Sequence, residues 1–334
     1  IPSRVKFKVK DEKELAKFIF NSRSAIKVYE FISSLEFKNL EDLIEKIKQI
    51  KLKKIKSPFV VRCERIGEQD FKSLDIEKEV GEIIIEKDKK LKVDLKDPKT
   101  TILLDIINKT CFVGIDQTGI KLSKRDYRIR LTPNPINPCL AYCMLRVSDI
   151  NIKDSIIDPF CKSGEIPIEA ALYLQNIPPN KKNIEYLLIT KIIKIKQSLK
   201  VEEKKLKIQS IDESQNNLKS AQINAKIAGI NKSINFSRYE IEWLDTKIDK
   251  NTITKIITFP QFPTNHVPKE KIEKNYKELF YQAEFILQKK GIITILTPVP
   301  ELIEKHAQAY HFKKLEDHKI NNNRQEMHIL KFEK

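Results

Sequence analysis

One segment of the chain, DPFCKSGEIPIEAA at positions 158–171, combines residues that could bind a small ligand. Apolar residues lead into it and helix-forming residues follow, so the pattern predicts a buried strand, a tight turn, and a helix that begins at residue 166 or 167. Ligands of doubly wound α/β folds bind outside the carboxyl ends of such strands, where the first amides of the helix can donate hydrogen bonds. Asp158 would point a carboxylate into that crevice, and Ser163-Gly164 would let the backbone come close to a ligand. The alternative is an ordinary strand, turn and helix with a capping serine.

The same segment resembles the cofactor loop of class I S-adenosylmethionine-dependent methyltransferases. More narrowly, it is similar to that of the RNA guanosine-N2 methyltransferases that carry an N-terminal THUMP RNA-binding domain. Their loop has the pattern Asp-Pro-x-x-Gly-Ser-Gly and leads into an Ile-Glu-Ala-Ala helix. The matching residues of this chain are Asp158, Pro159, Ser163, Gly164, Ile168, Glu169, Ala170 and Ala171. Lys162 replaces the first glycine of the pattern, and Glu165 stands where a small residue is usual.

The resemblance implies S-adenosylmethionine as the cofactor. The residues expected to bind it are Asp158, Phe160, Ser163, Gly164, Asp212 and Glu240. Asp212 ends the predicted second strand, and its carboxylate would accept hydrogen bonds from the two ribose hydroxyls. Glu240 stands where family members usually have an aspartate that contacts the adenine amino group. Lys162 could form an ion pair with the carboxylate of the cofactor, or it could fill the space that a glycine leaves open.

The expected catalytic turn is Phe259-Pro260-Gln261-Phe262, at the place of the family's (Asn/Asp)-Pro-Pro-(Tyr/Phe) motif. In the family, the first side chain and a backbone carbonyl accept the hydrogens of the guanine amine, and the aromatic ring stacks on the flipped base. Pro260 and Phe262 keep the turn and the stacking ring. Phe259 cannot accept a hydrogen bond from the amine, so Gln261 is the best remaining acceptor.

Two functions fit these matches and departures. The first is an RNA methyltransferase, with N2 of a guanosine in tRNA as the expected target. The alternative is a catalytically inactive relative that binds RNA as a scaffold. A DNA adenine or protein methyltransferase is a weaker third hypothesis, because the N-terminal half resembles an RNA-binding domain. A Lys162 or Phe259 side chain that plugs the cofactor crevice would end the enzyme interpretation and leave a positively charged RNA-binding protein.

Composition and the N-terminal half both indicate an RNA partner, with tRNA as the first choice. Lysine and arginine total 63 against 46 acidic residues, and the resulting net charge of +17 attracts nucleic acid. A lysine-rich, AT-biased genome would produce the same bias. The N-terminal half resembles a THUMP domain, and the matching residues are Phe59, Arg62, Arg65, Gly67, Phe71, Ser73, Asp75, Glu79, Gly81, Val93, Asp94, Leu95 and Pro98. The residues expected to contact RNA are Arg62, Arg65, Lys72, Lys53, Lys54 and Arg128.

The predicted fold class is α/β, with an N-terminal α+β ferredoxin-like and THUMP region followed by a Rossmann-like class I methyltransferase domain. The expected domains are a truncated ferredoxin-like subdomain (1–57), a THUMP domain (58–118), a linker (119–138) and the methyltransferase domain (139–334). Alternating residues predict a strand at 4–9, and a further strand is expected at 92–98. A helix is expected from Ser73 to Ile85, where it would run into an apolar strand. A closing β-hairpin is expected between Phe312 and Phe332.

The remaining composition predicts a cytoplasmic protein. The five cysteines form no CxxC pair and lack histidines at metal-ligand spacing, so we expect reduced thiols and no zinc site. No apolar run is long enough for a membrane-spanning helix, and no signal-peptide pattern opens the chain, although Ile1 need not be the natural start. Nothing in the sequence indicates an oligomeric state.

Overall fold

The computed structural model describes residues 4–52, 55–180, 204–264, 268–322 and 325–334. Its strands are β1 Tyr29–Glu36, β2 Phe59–Ile66, β3 Thr100–Ile107, β4 Thr110–Asp116, β5 Ser155–Asp158, β6 Lys207–Ile211, β7 Asn235–Ser237, β8 Ile253–Thr258, β9 Leu287–Thr297, β10 Lys313–Asn322 and β11 Gln325–Glu333. Its α-helices are α1 Glu12–Asn21, α2 Leu40–Lys48, α3 Ser73–Lys87, α4 Pro138–Val147, α5 Glu165–Leu174, α6 Gln215–Ala228, α7 Leu244–Lys247, α8 Lys269–Ile286 and α9 Pro300–Ala309. None of the described helices is both long and apolar enough to cross a membrane.

The first of two compact units contains residues 4–19 and 26–122. Its four-stranded sheet has the order β1-β4-β3-β2, with β2 and β3 parallel and the other neighbours antiparallel. Apolar residues of α2 and α3, among them Leu43 and Val80, pack with residues of the strands in one buried core. Because β1 belongs to this sheet, strands from both sides of the expected boundary between residues 57 and 58 lie in one sheet.

The second unit contains residues 20–25, residues 123–180 and the described residues from 204 onward. Its seven-stranded sheet has the order β10-β11-β9-β8-β5-β6-β7. The strands from β9 to β7 in this order are parallel, and β11 is antiparallel to both of its neighbours. The chain proceeds from β5 to β6 and β7 on one side and then to β8 and β9 on the other. This arrangement confirms the expected Rossmann-like sheet, and folds of this kind bind ligands where the strand order reverses, here at the carboxyl ends of β5 and β8.

Helix α5 follows β5 directly and is buried over residues 165–172. Gly164 precedes it with a φ of +85°, in the left-handed region that favours glycine. A Cβ atom at Gly164 would lie 2.8 Å from the Cβ of Ala221 in α6. The glycine is therefore required for the turn and also for the close approach of α6 to this turn.

Two of the predicted strands are wrong. Residues 4–9 form no strand, because their side chains are mostly exposed, with Val5 at 85% and Phe7 at 45%, and no buried face selects an extended pairing. Residues 92–98 form only an isolated bridge between Val93 and β2. Alternation of apolar and polar residues predicts a strand only where a sheet edge is available to accept it.

Helix α3 continues to Lys87 through the predicted strand near residue 85, so that prediction is also wrong. Ile83 and Ile84 pack into the same core as Val80, which is the spacing of a helix face. The predicted closing hairpin is confirmed, because β10 and β11 pair antiparallel.

Candidate cofactor and acceptor site

The carboxylate of Asp158 ends β5 and is almost fully buried, with 2% of the residue exposed. Its Oδ1 accepts hydrogen bonds from Thr258 Oγ1 at 2.7 Å and from the amide of Phe160 at 3.2 Å. Burial raises the pKa of Asp158 to about 7. Thr258 is the last residue of β8, which pairs in parallel with β5. The predicted cofactor loop after β5 and the predicted catalytic turn after β8 therefore meet at one edge of the sheet.

The loop after β5 is held to the end of β6 through its backbone. The amide of Cys161 donates to the last carbonyl of β6 at 2.9 Å, and the amide of Lys162 donates to Asp212 Oδ2 at 2.9 Å. Oδ1 of Asp212 accepts hydrogen bonds from the amide of Ser214 at 2.9 Å and from Nδ2 of Asn217 at 3.0 Å. A carboxylate offers about four acceptor positions. Asp212 therefore keeps room for one ribose hydroxyl, whereas the sequence predicts contacts with two.

Glu240 lies beyond the end of β7 and borders an open cavity of ≈ 440 Å³. Tyr239 and Trp243 line the same cavity, and Trp243 is 53% exposed. An exposed carboxylate can accept the hydrogens of an adenine amino group, and aromatic faces can stack on a purine. The residues around this cavity therefore suit the adenosine part of a cofactor.

Lys162 extends over the predicted catalytic turn. Its φ is +50°, a left-handed backbone conformation that costs a side-chain-bearing residue free energy. Its Nζ lies 3.9 Å from the centroid of the Phe259 ring. Burial lowers the pKa of Lys162 to about 8, while the carboxylates of Asp158, Glu165 and Asp212 favour its charged form. At neutral pH the side chain is therefore a largely buried ammonium group at the carboxyl edge of the sheet.

The turn after β8 presents two aromatic rings. Phe259 is 7% exposed, and the centroids of the Phe259 and Phe262 rings are 5.9 Å apart. The backbone oxygen of Gln261 accepts a hydrogen bond from the hydroxyl of Tyr276 at 2.9 Å. Gln261 is exposed and Phe262 is half-buried. A stacking ring is therefore accessible, whereas residue 259 offers a phenyl face instead of a hydrogen-bond acceptor.

The two ends of this crevice differ in how they fit S-adenosylmethionine. At the adenosine end, Asp212 keeps an acceptor position and Glu240 borders an open cavity. At the other end, the Lys162 ammonium lies against the Phe259 ring, and the negative charge of Asp158 favours the charged form of Lys162. The residues around the cavity suit an adenosine group, whereas we expect the methionine part to require movement of the Lys162 side chain.

Comparison with known families identifies both units. A profile of the RMKL-like methyltransferase domain matches residues 125–327, which is more than half of the chain. The chain belongs to this methyltransferase family. A profile of the THUMP domain matches residues 37–116. The two matches confirm the resemblance found in the sequence.

The methyltransferase has relatives that match most of its length. A tRNA (guanine(6)-N2)-methyltransferase of Methanocaldococcus jannaschii is 31% identical over 277 residues, which cover 78% of this chain and 72% of that protein. The crystal structure of a possible methylase from Clostridium difficile 630 has a TM-score of 0.79 and 25% identity, and covers 96% of this chain and 87% of that one. TrmN from Thermus thermophilus has a TM-score of 0.71 at 22% identity, over 96% of this chain and 86% of that one. The methyltransferase fold is thus shared with solved structures.

Two predicted site residues, Ser163 and Arg128, contact the buried carboxylate of Glu165. Glu165 is 1% exposed, and its Oε2 accepts a hydrogen bond from Ser163 Oγ at 2.8 Å. Nε of Arg128 lies 3.2 Å from Glu165 Oε1. A glutamate at a position where a small residue is usual is thereby compensated inside the protein. The guanidinium of Arg128 is engaged in this pair, and its contact with RNA stays a prediction.

The sequence interpretation missed a second buried pair in the methyltransferase domain. Both Arg125 and Glu169 have fully buried side chains, with Arg125 Nε 2.9 Å from Glu169 Oε1. The hydroxyl of Tyr127 donates to the same oxygen at 2.9 Å. These contacts fasten α5 to the segment that precedes α4. A glutamate within an apolar helix was the available signal, because a buried carboxylate requires a cationic partner.

The cations predicted to contact RNA differ in how they are engaged within the THUMP unit. Arg65 donates to the hydroxyl of the first residue of α3 at 3.1 Å, so its guanidinium holds the start of that helix. Arg62 donates to a backbone carbonyl at 3.1 Å, and its side chain is 44% exposed. Lys72 is exposed. Lys53 and Lys54 lie outside the described residues.

Proposed function

We propose that this protein is an S-adenosylmethionine-dependent methyltransferase that modifies N2 of a guanosine in tRNA. The observation that carries this proposal is the similarity to the tRNA (guanine(6)-N2)-methyltransferase of M. jannaschii, which spans 277 residues and so exceeds the methyltransferase domain alone. The net charge of +17 suits a polyanionic substrate. We place the reaction in the cytoplasm, where tRNA is available and where free thiols such as the five of this chain persist.

The residues at the sheet edge have distinct proposed roles. When bound, S-adenosylmethionine would supply the electrophilic methyl group. Asp212 and Glu240 would hold the ribose and the adenine. Phe262 would stack on the flipped guanine and fix its plane, so that the amine faces the methyl group. Gln261 lies within this turn and is exposed, and its side-chain amide oxygen would accept a hydrogen of the amine.

The exposed cations of the THUMP unit are the proposed contacts with the phosphates of tRNA. Lys72 is exposed and is the best placed for this role. The guanidinium groups of Arg65 and Arg128 are used within the protein, and that of Arg62 donates to a backbone carbonyl and lies 3.6 Å from the carboxylate of Glu77, although its side chain is 44% exposed. Each phosphate contact that is removed should reduce the slope of log affinity against log salt by about 1. Nitrocellulose filter binding of tRNA by Lys72→Ala at several salt concentrations measures this slope.

A catalytically inactive RNA-binding scaffold is the second candidate, and one observation favours it. The Lys162 ammonium lies 3.9 Å from the Phe259 ring centroid, at the point where the family motif has a hydrogen-bond acceptor. A phenyl ring cannot accept a hydrogen from the guanine amine. A methyltransferase domain that has lost this acceptor could still position RNA for another protein.

Nucleoside mass spectrometry separates the two candidates. Purified protein is incubated with S-adenosylmethionine and tRNA from cells that lack the gene, and the digested tRNA is analysed for N2-methylguanosine. We expect this nucleoside to form with the wild type and with Phe285→Ala, which changes an exposed ring of α8, and to be lost with Phe262→Ala. If tRNA binds but no methylguanosine forms under any condition, the enzyme proposal is wrong and the scaffold remains.

A further inference from the structure

The site contains a cation that belongs to the chain itself. Lys162 takes the place of a glycine in the family pattern, and its φ of +50° shows that the backbone keeps the conformation in which glycine is favoured. Its side chain is therefore an addition to an unchanged turn. The ammonium at its end lies 3.9 Å from the centroid of the Phe259 ring, which is the distance of a cation–π contact.

The surroundings of this ammonium resemble a binding site for a positively charged ligand group. Asp158, Glu165 and Asp212 are buried carboxylates that all act on Lys162, and Phe259 adds the face of an aromatic ring. Asp158 and Phe259 lie at the ends of β5 and β8, the pair of strands between which the strand order reverses. The Lys162 ammonium thus occupies the position in the crevice where an aromatic ring and negative charges favour a cation.

At the proposed adenosine end of the crevice, the described residues leave an open space. Glu240, Tyr239 and Trp243 border an open cavity of ≈ 440 Å³. Lys162 is not among the residues that line this cavity, so we expect an adenosine group to bind there with Lys162 in place. A ligand that also brings its own cation to the carboxyl ends of β5 and β8 must displace the Lys162 ammonium from the Phe259 ring.

We propose that Lys162 is a specificity-determining residue of the cofactor site, which takes the position of the cationic methionine end and favours adenosine ligands that lack this end. The inference rests on the proposed function, because it assigns the same crevice to the cofactor. S-adenosylmethionine carries an ammonium and a sulfonium, so it competes with Lys162. The neutral nucleoside 5′-methylthioadenosine has the adenosine and the thioether without either charge, so it does not compete.

Calorimetric titration of both ligands into the wild type and Lys162→Gly tests this inference. The variant should fold, because glycine is favoured at a φ of +50°. We expect its dissociation constant for S-adenosylmethionine to fall about tenfold, the change that corresponds to loss of a competing, partly desolvated cation–π contact. The dissociation constant for 5′-methylthioadenosine should stay within about twofold. Lys290→Gly is a matched control, because Lys290 also has a positive φ, of 64°, and is exposed in β9.

Three results would overturn the inference. Weaker binding of S-adenosylmethionine by Lys162→Gly would mean that Lys162 pairs with the carboxylate of the cofactor. Equal changes for the two ligands, or no change, would mean that the ammonium does not occupy the position of the methionine end. Absence of binding by both proteins would mean that removal of Lys162 does not open a site. The tRNA methylation assay is read separately, so tighter binding by Lys162→Gly without any methylguanosine would contradict only the proposed function.

Discussion

Replacement of Gly164 by alanine tests the packing that holds the cofactor loop. An added Cβ at Gly164 would lie 2.8 Å from the Cβ and 3.1 Å from the Cα of Ala221. Gly229, which ends α6, has a φ of +76°, close to the +85° of Gly164. An added Cβ at Gly229 would have no atom of the described residues within 4 Å. The two glycines therefore share a backbone conformation and differ in packing. Gly229→Ala is the matched control for Gly164→Ala.

The two contributions to the expected loss of stability can be separated. Alanine in the left-handed conformation costs about 1–2 kcal/mol, and this cost applies at both positions. The close contact at Gly164 adds about 1–3 kcal/mol, as overpacking of a core does. We expect Gly164→Ala to lower the free energy of unfolding by this additional amount relative to Gly229→Ala. Displacement of the loop should also weaken binding of an adenosine ligand in Gly164→Ala alone.

Urea unfolding followed by tryptophan fluorescence measures the difference. The single tryptophan of the chain, Trp243, lies in the same unit as Gly164 and Gly229, so its emission reports the unfolding of that unit. Linear extrapolation of each transition gives the free energy of unfolding in water. Equal losses in the two variants, or a larger loss in Gly229→Ala, would refute the close approach of the loop to α6.

Buried charges of the same unit give three further predictions, all measured by urea unfolding. Glu169→Gln leaves the Arg125 guanidinium buried without its carboxylate and should lower the free energy of unfolding by about 3–5 kcal/mol. Glu304→Gln removes a carboxylate from an exposed ion pair and should change the free energy of unfolding little. Equal losses of stability in the two variants would contradict the buried pair. Burial lowers the pKa of Lys162 from 10.5 to about 8, so between these pH values the unfolded chain holds more protons and the folded state gains stability as pH rises. The free energy of unfolding of the wild type minus that of Lys162→Gly should therefore increase across this interval, and a constant difference would contradict the burial of the ammonium. A double-mutant cycle of Lys162→Gly and Phe259→Leu should give a coupling of about 0.5–2 kcal/mol, and additive effects would exclude a cation–π contact.

The places where the chain could bind a ligand were predictable because they follow strands. Asp158 is the last residue of β5, Asp212 follows β6 directly, and Glu240 lies three residues after β7. The structure brings all three to the carboxyl edge of one sheet. Gly229 ends α6 in the left-handed conformation, which is the usual role of a glycine after the last turn of a helix. Local patterns carry this information, because strand ends, turns and caps are set by neighbouring residues. The roles of these residues toward a ligand stay predictions.

The side-chain partners were not predictable, because they are far apart in the chain. Arg128 pairs with Glu165, and Lys162 lies against Phe259. The spacing of residues in a loop or a turn does not specify which distant side chain fills the space above it. The helix at 300–309 was missed for a related reason, since its two buried positions, Ile303 and Ala307, are too few to mark a helical face in the sequence.

Two of the departures from the family pattern, Lys162 and Phe259, contact each other. A lysine in the left-handed conformation has a backbone cost of about 1–2 kcal/mol and persists only where the surroundings compensate it. Phe259 supplies such compensation, because its ring faces the ammonium that Lys162 introduces. The contact between the Lys162 ammonium and the Phe259 ring accounts for both residues together. We therefore expect methyl transfer by this chain to require movement of the Lys162 side chain away from the Phe259 ring.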